Sequence, residues 1–150
     1  MKLSKILFTM IAAAGLLAAP ALADTSIAGG AFAPSGNVRA TNSGGAILTQ
    51  TAPANPFGAF QVTPQLSAAL PIAGGSRYAL TGELQSHGDY SLGLGAGVGR
   101  LRNDGKVGLV YDAIASAKVA PRTNLEARFY TGTKGQQVGT AGFLGLRLTL

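Results

Sequence analysis

The chain has 150 residues, with 22 Gly, no Cys and 12% charged residues, and its formal net charge is +6. Soluble domains usually carry about 25% charged residues, and the Lys and Arg residues form no dense run here, so nucleic-acid binding has little support. Because Cys is absent, no disulfide can hold the fold in an oxidising compartment, and a closed or well-packed sheet has to supply the stability.

Residues 1–23 are predicted to be a secretory signal peptide. Lys2 and Lys5 give it a positive start, Ile6–Ala19 form an apolar core, and Ala21-Leu22-Ala23 is a small-x-small cleavage site. The core is shorter than the roughly 20 residues that a membrane-spanning helix needs. We expect export through the Sec pathway and cleavage after Ala23, which takes the net charge from +6 to +4 by removing two lysines. No Cys stands at the cleavage site, which excludes a lipid-anchored lipoprotein.

The mature chain begins with its least regular part, residues 24–56. Thr25–Ala33 and Gly45–Thr51 are predicted to be two strands. Pro34–Gly44 is rich in Pro, Ser, Gly and Asn, which favours a loop. Ala52–Pro56 carries two prolines, which suits a turn.

Six further strands are predicted from the alternation of apolar residues with small or polar ones, which is the period of two of a β-strand. In the clearest run, five apolar residues alternate with Ser91 and four glycines. The runs are Phe60–Leu70, Tyr78–Gln85, Tyr90–Gly99, Val107–Lys118, Asn124–Tyr130 and Gly142–Leu150. Pro64 cannot donate to a strand ladder, so it indicates a bulge or local irregularity.

Turn signals separate these runs. Asn103-Asp104-Gly105 is a strong hairpin signal, and Gly74-Gly75-Ser76, His87-Gly88-Asp89 and Pro121-Arg122-Thr123 also have turn composition. Connections this short make neighbouring strands antiparallel, and no βαβ pattern appears. Residues 24–150 are therefore predicted to be a single all-β domain, a closed antiparallel up-and-down barrel of about eight strands with no exposed sheet edge.

Two kinds of barrel share this alternation and differ in which face points outward. A soluble barrel of the lipocalin type buries its apolar face, whereas a transmembrane barrel turns it toward lipid. In Tyr90–Gly99 the other face consists of Ser91 and glycines, whereas water-facing strands usually carry charged and polar side chains. Glycines fit the crowded interior of a narrow barrel, and several runs reach the about 9–11 residues that cross a bilayer. The sequence favours a transmembrane barrel.

With its signal peptide, even strand count, lack of Cys and alternating C-terminal strand Gly142–Leu150, the chain resembles the small eight-stranded outer-membrane barrels of the OmpA/OmpX type. The resemblance is architectural and covers most of residues 24–150. The chain differs at Leu150, where such barrels usually have an aromatic residue. The resemblance implies an outer-membrane location, a monomer, contact with outer-membrane lipid and lipopolysaccharide, and recognition of the C-terminal strand by the insertion machinery.

No residue pattern indicates catalysis, a cofactor or a metal. His87 is the single histidine and has no Cys or paired carboxylates near it in the sequence. Ser86 and Ser91 flank it, but this turn is expected on the periplasmic side, and a solvated turn histidine is the simpler interpretation. Gly93-x-Gly95-x-Gly97-x-Gly99 has period-two spacing and no following helix, which argues against a phosphate-binding loop. We expect that the protein is not an enzyme.

Five charged residues are predicted to meet inside the barrel. They are Glu83, Asp112, Glu126, Arg128 and Arg147. Facing residues share a face, so the turn positions predict four facing pairs: Ile114 with Arg128, Glu126 with Gly145, Glu83 with Gly93, and Asp112 with Gly97. These registers leave Asp112 diagonal to Arg128 and Glu126 diagonal to Arg147, within reach of long side chains.

We predict that these charges plug the lumen, so that the barrel is not an open pore. An unpaired buried charge is costly, and the bore of an eight-stranded barrel is just wide enough for side chains to fill. The alternative is that the five residues lie near the barrel ends and are solvated.

Arg100 and Arg102 are predicted to form a rim that binds lipopolysaccharide. Like Val98, they are even-numbered residues of the alternating run, and the even positions are predicted to face lipid. An arginine costs little free energy at the membrane interface. If both termini are periplasmic, this rim faces out of the cell, where Arg can bind phosphates through paired hydrogen bonds. The alternative is that these charges only terminate a strand.

Three classes of function remain open. The first is an integral outer-membrane barrel with a structural or envelope-related role. The second is a soluble periplasmic β-barrel that binds an apolar small molecule. The third is a surface adhesin or interaction module, which the short connections disfavour. Membrane fractionation would separate the first class from the second.

Overall fold

The computed structural model describes residues 24–35, 43–57, 60–71, 77–102, 105–133 and 138–150. The predicted signal peptide and its cleavage site lie outside these residues. The strands of the described chain are β1 (Asp24–Ser35), β2 (Ser43–Thr51), β3 (Asn55–Phe57), β4 (Phe60–Pro71), β5 (Tyr78–Ser86), β6 (Tyr90–Arg100), β7 (Gly108–Ala120), β8 (Thr123–Gly132) and β9 (Thr140–Thr149). Within the same ranges there is no helix long and apolar enough to cross a membrane.

The strands form one closed antiparallel barrel. Its order runs from β2 through β1, β9, β8, β7, β6 and β5 to β4, and β2 closes it by pairing with β4. The short β3 follows β2 along the same edge of β4, so the two segments serve as one broken strand and the wall has eight strands. The predicted all-β closed barrel of about eight strands is confirmed, and its first two strands are present at β1 and β2.

Pro64 lies opposite the break between β2 and β3. Thr51 faces Gln65, whereas Asn55 faces Val62, so the β2–β3 side has one residue more than β4 between these two pairs. The carbonyl of Pro64 accepts a hydrogen bond from the backbone N–H of Ala52 at 2.9 Å. Because proline offers no N–H in return, the irregularity expected from its position appears in the neighbouring strand.

The two faces of the barrel wall have opposite chemistry. The inward face carries every buried charged side chain of the described chain, and the outward face is apolar. Leu92 and Leu94, for example, are 70% and 68% exposed. Exposed apolar side chains on the strands include Ile27, Leu48, Leu66, Leu70, Leu80, Leu92, Leu94, Val98, Leu125, Phe129, Leu144, Leu146 and Leu148. This arrangement is the reverse of a water-soluble fold.

The barrel has two different ends. The terminal end holds Asp24, Leu150 and the β5–β6 and β7–β8 turns, and the backbone N–H of Leu150 bonds to β1 at 2.9 Å. Gly88 in the β5–β6 turn has φ 146°, a conformation that side chains disfavour. The opposite, loop end holds the β6–β7 and β8–β9 connections, which are joined by a 3.0 Å hydrogen bond from Leu101 N to Val138 O.

Candidate functional site

The middle of the lumen is occupied by ion-paired side chains centred on Arg128. Its Nη1 lies 2.5 Å from Glu83 Oε1 and 3.6 Å from Asp112 Oδ2, and its Nε lies 2.6 Å from Glu126 Oε1. All four side chains are fully buried. The guanidinium has five N–H donors in a planar fork, so one arginine on β8 connects carboxylates from β5, β7 and β8.

A second arginine, Arg147 on β9, joins this cluster to a layer of amides. Its Nε lies 3.0 Å from Glu126 Oε2. Its Nη1 and Nη2 donate to the amide oxygens of Gln65 at 3.1 Å and Gln85 at 3.3 Å. Gln65 also donates to Gln85. Glu126 is therefore shared between two arginines, and each guanidinium has a carboxylate beside it.

Hydroxyl groups complete the network. Glu83 Oε2 accepts a hydrogen bond from Ser67 Oγ at 2.9 Å. Gln85 Nε2 donates to Ser91 and Ser116, whose hydroxyls are 2.6 Å apart. We call the whole network the polar plug, and its members are Thr49, Gln65, Ser67, Thr81, Glu83, Gln85, Ser91, Asp112, Ser116, Glu126, Arg128 and Arg147.

Asp112 is the least satisfied member of the polar plug. Neither of its carboxylate oxygens has a hydrogen-bond partner among the described residues. The hydroxyl of Tyr130, which faces Asp112 across β7 and β8, is likewise buried without a partner in that part of the chain. Buried polar groups in this state are uncommon in native proteins.

Apolar side chains close the lumen toward the loop end. Phe32 and Phe143 face each other across β1 and β9 with ring centroids 4.9 Å apart, and Tyr130 lies 6.2 Å from Phe32. Leu101 from the β6–β7 connection and Val138 from the β8–β9 connection are buried with them. We call these five residues the apolar cap. The cavity left beside the cap measures about 20 Å³, which is room for about one water molecule.

The lumen opens toward the terminal end as a polar vestibule of about 280 Å³. Ser26, Asn124 and Thr149 are among the polar residues that line it, and Gln85 and Arg147 of the polar plug lie at its inner side. Access from this end therefore leads to the amide layer of the plug, while the cap closes the other end.

The structure brings all five charged residues predicted for the lumen together in the polar plug. Ile114 faces Arg128 and Glu126 faces Gly145, in the predicted registers. Both predicted diagonal neighbours of the arginines lie within ion-pair distance. These side chains are buried rather than solvated at the barrel ends.

The other two predicted registers were wrong by two residues. Glu83 faces Gly95 instead of Gly93, and Asp112 faces Gly95 instead of Gly97. The reason is that each hairpin is centred one residue away from the assumed turn centre. A shift of two residues keeps every side chain on its face. Both carboxylates therefore still face a glycine, and in the structure Glu83 and Asp112 face the same residue, Gly95. A Cβ added at Gly95 would lie 2.7 Å from Glu83 Cγ.

Arg100 and Arg102 lie at the loop end, both partly exposed. Arg100 is the last residue of β6 and faces Tyr78. Leu101, the next residue, is buried in the apolar cap, so the alternation of inward and outward side chains continues one residue past the end of β6. The lipid-facing side of Arg102 stays a prediction. The Arg102 side chain lies over Gly139, where an added Cβ would be 2.8 Å from Arg102 Cδ.

His87 lies in the β5–β6 turn at the terminal end and lines the vestibule. The flanking serines have other contacts, because Ser86 Oγ accepts a hydrogen bond from Leu92 N at 2.9 Å and Ser91 bonds to Ser116. Across the described ranges, no group of three or more His, Cys, Asp or Glu side chains could hold a metal ion.

Sequence reasoning missed the uncharged part of the plug and the apolar cap. Gln65 and Gln85 stand at odd-numbered positions of their alternating runs, as Glu83 does. The alternation therefore already indicated that their side chains point inward. Leu101 continues the inward alternation of Gly97 and Gly99 one residue past β6, and that alternation was its available signal, whereas Val138 comes from the β8–β9 connection, where no periodic pattern reveals an inward side chain.

Comparisons with known proteins give no relative for this chain: no family model, curated protein or solved structure matches it. A fold of this class hosts many functions. The function is therefore inferred from the barrel wall and the contents of its lumen.

Proposed function

We propose that the protein is a small integral outer-membrane β-barrel with a structural or envelope-related role, whose lumen is plugged rather than open. The observation that carries this proposal is the inverted wall, apolar outside and charged inside. Leu92 and Leu94 expose most of their side chains, and burying a leucine away from water contributes about 1.5–3 kcal/mol. Lipid around the barrel would remove the apolar side chains of the whole outer face from water and would contribute this free energy for each of them.

The closed sheet supports the same proposal. In lipid, no water is present to bond to a free N–H or C=O group, so a spanning sheet has to pair its backbone around a closed ring. The β2–β4 pairing provides this ring, because with it β1, β2 and β4 to β9 each pair on both sides within the described residues.

The lumen supports a plug over a general pore. A solute entering from the terminal end meets the amide layer, then the ion pairs around Arg128, and then the apolar cap. Each layer is made by buried side chains. Filled interiors of this kind are typical of eight-stranded barrels.

The alternative functions have less support. A periplasmic barrel that binds an apolar molecule needs an apolar cavity, and small-molecule sites usually measure about 300–1,000 Å³. The cavity beside the apolar cap measures about 20 Å³, and most of the side chains that line the larger vestibule are polar. An adhesin needs a large binding surface, whereas connections between consecutive strands do not exceed seven residues.

Two kinds of partner accompany this proposal. Arg100 and Arg102, at the loop end, contact lipopolysaccharide phosphates at the outer surface of the membrane. The C-terminal strand, β9, is the segment that the insertion machinery recognises. The protein acts as a monomer and without a catalytic site.

Fractionation of cells that produce the full chain tests this function. We expect the protein in the outer-membrane fraction, resistant to extraction with alkaline carbonate, and labelled from outside the cell only at the loop end. A cysteine introduced at Lys106, which is exposed at the loop end, and a second at Arg122 in the opposite turn make a matched pair for this labelling. Recovery in the soluble periplasmic fraction would contradict the proposal and favour the soluble barrel.

A further inference from the structure

The polar plug holds one carboxyl group more than its arginines can balance. The buried charged side chains of the described chain are three carboxyl groups, on Glu83, Asp112 and Glu126, and two guanidinium groups, on Arg128 and Arg147. Glu83 and Glu126 each lie within 3.0 Å of an arginine nitrogen. Asp112 Oδ2 forms a longer ion pair, 3.6 Å from Arg128 Nη1, and Asp112 receives no hydrogen bond on its carboxylate from the described residues.

A buried carboxylate in this position is costly. Its side chain is fully buried, and an ionised group without hydrogen-bond donors loses its hydration without replacement. The elements around it offer Glu83 from β5, Gly95 from β6, Arg128 and Tyr130 from β8, and only hydroxyl or amide groups from β2 and β4. Arg128 already serves two other carboxylates.

Glu83 has room to accept one more hydrogen bond. A carboxylate has about four lone-pair sites. Glu83 Oε1 accepts hydrogen bonds from Arg128 Nη1 and Thr81 Oγ1. Glu83 Oε2 accepts one from Ser67 Oγ, which leaves one lone-pair site on Oε2 free. Gly95 brings the two acids together, because Glu83 and Asp112 both face it and a Cβ there would overlap with both side chains.

We propose that Asp112 and Glu83 form a proton-binding site inside the polar plug, in which one proton from solvent is shared between the two carboxyl groups over Gly95. The proton supplies the missing positive charge and gives Asp112 an O–H donor for the free site on Glu83. The inference rests on the plug of the proposed function and is independent of membrane location.

Infrared spectroscopy of the purified, folded barrel at neutral pH tests this site. We expect the carbonyl band of one buried protonated carboxyl group, absent from the Asp112→Asn variant and retained in Asp89→Asn, which removes an exposed acid at a turn. Asp112→Asn should fold with a urea midpoint no lower than that of the unmodified protein, because the amide is neutral and brings its own donors.

Glu83→Gln gives an independent check. It leaves two carboxyl groups with two arginines and frees Arg128 for Asp112, so the band should also disappear. A folded protein without the band, or a band that persists in Asp112→Asn or in Glu83→Gln, would overturn the proton site. Such a result would leave the plug intact, whereas channel conductance would refute the plug itself.

Discussion

Glu126 Oε2 lies 3.0 Å from Arg147 Nε, and the two residues are diagonal neighbours across β8 and β9. The other oxygen of Glu126 accepts a 2.6 Å hydrogen bond from Arg128. A single buried carboxylate thus joins both arginines of the polar plug, and β8 to β9.

We predict that Glu126→Ala lowers the free energy of unfolding by about 3–5 kcal/mol, because it leaves two buried arginines short of a carboxylate. Because the chain contains no Trp, unfolding in urea is monitored by circular dichroism or gel mobility, and the shift in unfolding free energy measures the loss. Asp89→Ala is the matched control. It breaks the exposed Lys118–Asp89 pair, whose atoms are 3.8 Å apart, and should change stability by no more than about 1 kcal/mol. Equal losses in the two variants would show that the buried ion pairs of Glu126 contribute no more to stability than an exposed pair.

Gly97 marks the tightest approach of β6 to β5. A Cβ there would lie 2.7 Å from the Cα of Thr81 and closer still to the carbonyl oxygen of Leu80. Because both neighbours are backbone atoms, Gly97→Ala has to displace a strand, and we expect a loss of about 1–3 kcal/mol. Gly29→Ala, on the outer face with nothing within 4 Å of its added Cβ, should have little effect. Equal urea midpoints for the two variants would contradict the close approach.

A closed barrel with a paired backbone should resist detergent until it is heated. We expect the folded protein to migrate faster in SDS gels before boiling than after it. The eight-strand ring closed by β2 and β4 is the basis for this expectation. A single unchanged band, from protein correctly inserted in membranes, would count heavily against a closed barrel.

The purified monomer should form no large, stable channels in planar bilayers. The plug and the cap close the lumen in series, so Phe143→Ala, which opens only the apolar cap, should also leave the barrel without such channels. Large stable conductance from the unmodified monomer would exclude a plugged lumen.

Substitution of the rim arginines should weaken binding to lipopolysaccharide in reconstituted vesicles. We expect this of the double variant Arg100→Ala with Arg102→Ala, because two phosphate-binding cations are lost at the loop end. Arg122→Ala, which removes a cation from the terminal end, is the control. Unchanged binding by the double variant would eliminate the rim as a lipopolysaccharide site.

The alternation of residues along the chain was enough to predict the wall strands, their up-and-down order and the face on which their side chains lie, but not the short β3, which overlaps residues predicted as a turn. The alternation in Tyr90–Gly99 and in the other runs reports local geometry, because successive side chains of a strand point to opposite faces whatever the strand pairs with. The tight turn at Pro121 and Arg122 then sufficed to place Ile114 opposite Arg128.

The registers of β5–β6 and β6–β7, the pairing of β2 with β4 and the composition of the apolar cap could be read only from the folded barrel. The inward and outward alternation repeats every two residues, so it is satisfied equally well whether Glu83 faces Gly93 or Gly95. Phe32 meets Phe143 from the opposite end of the chain, and Leu101 and Val138 reach the cap from connections. Such contacts depend on which distant segments the closed ring brings together, and no local period encodes that.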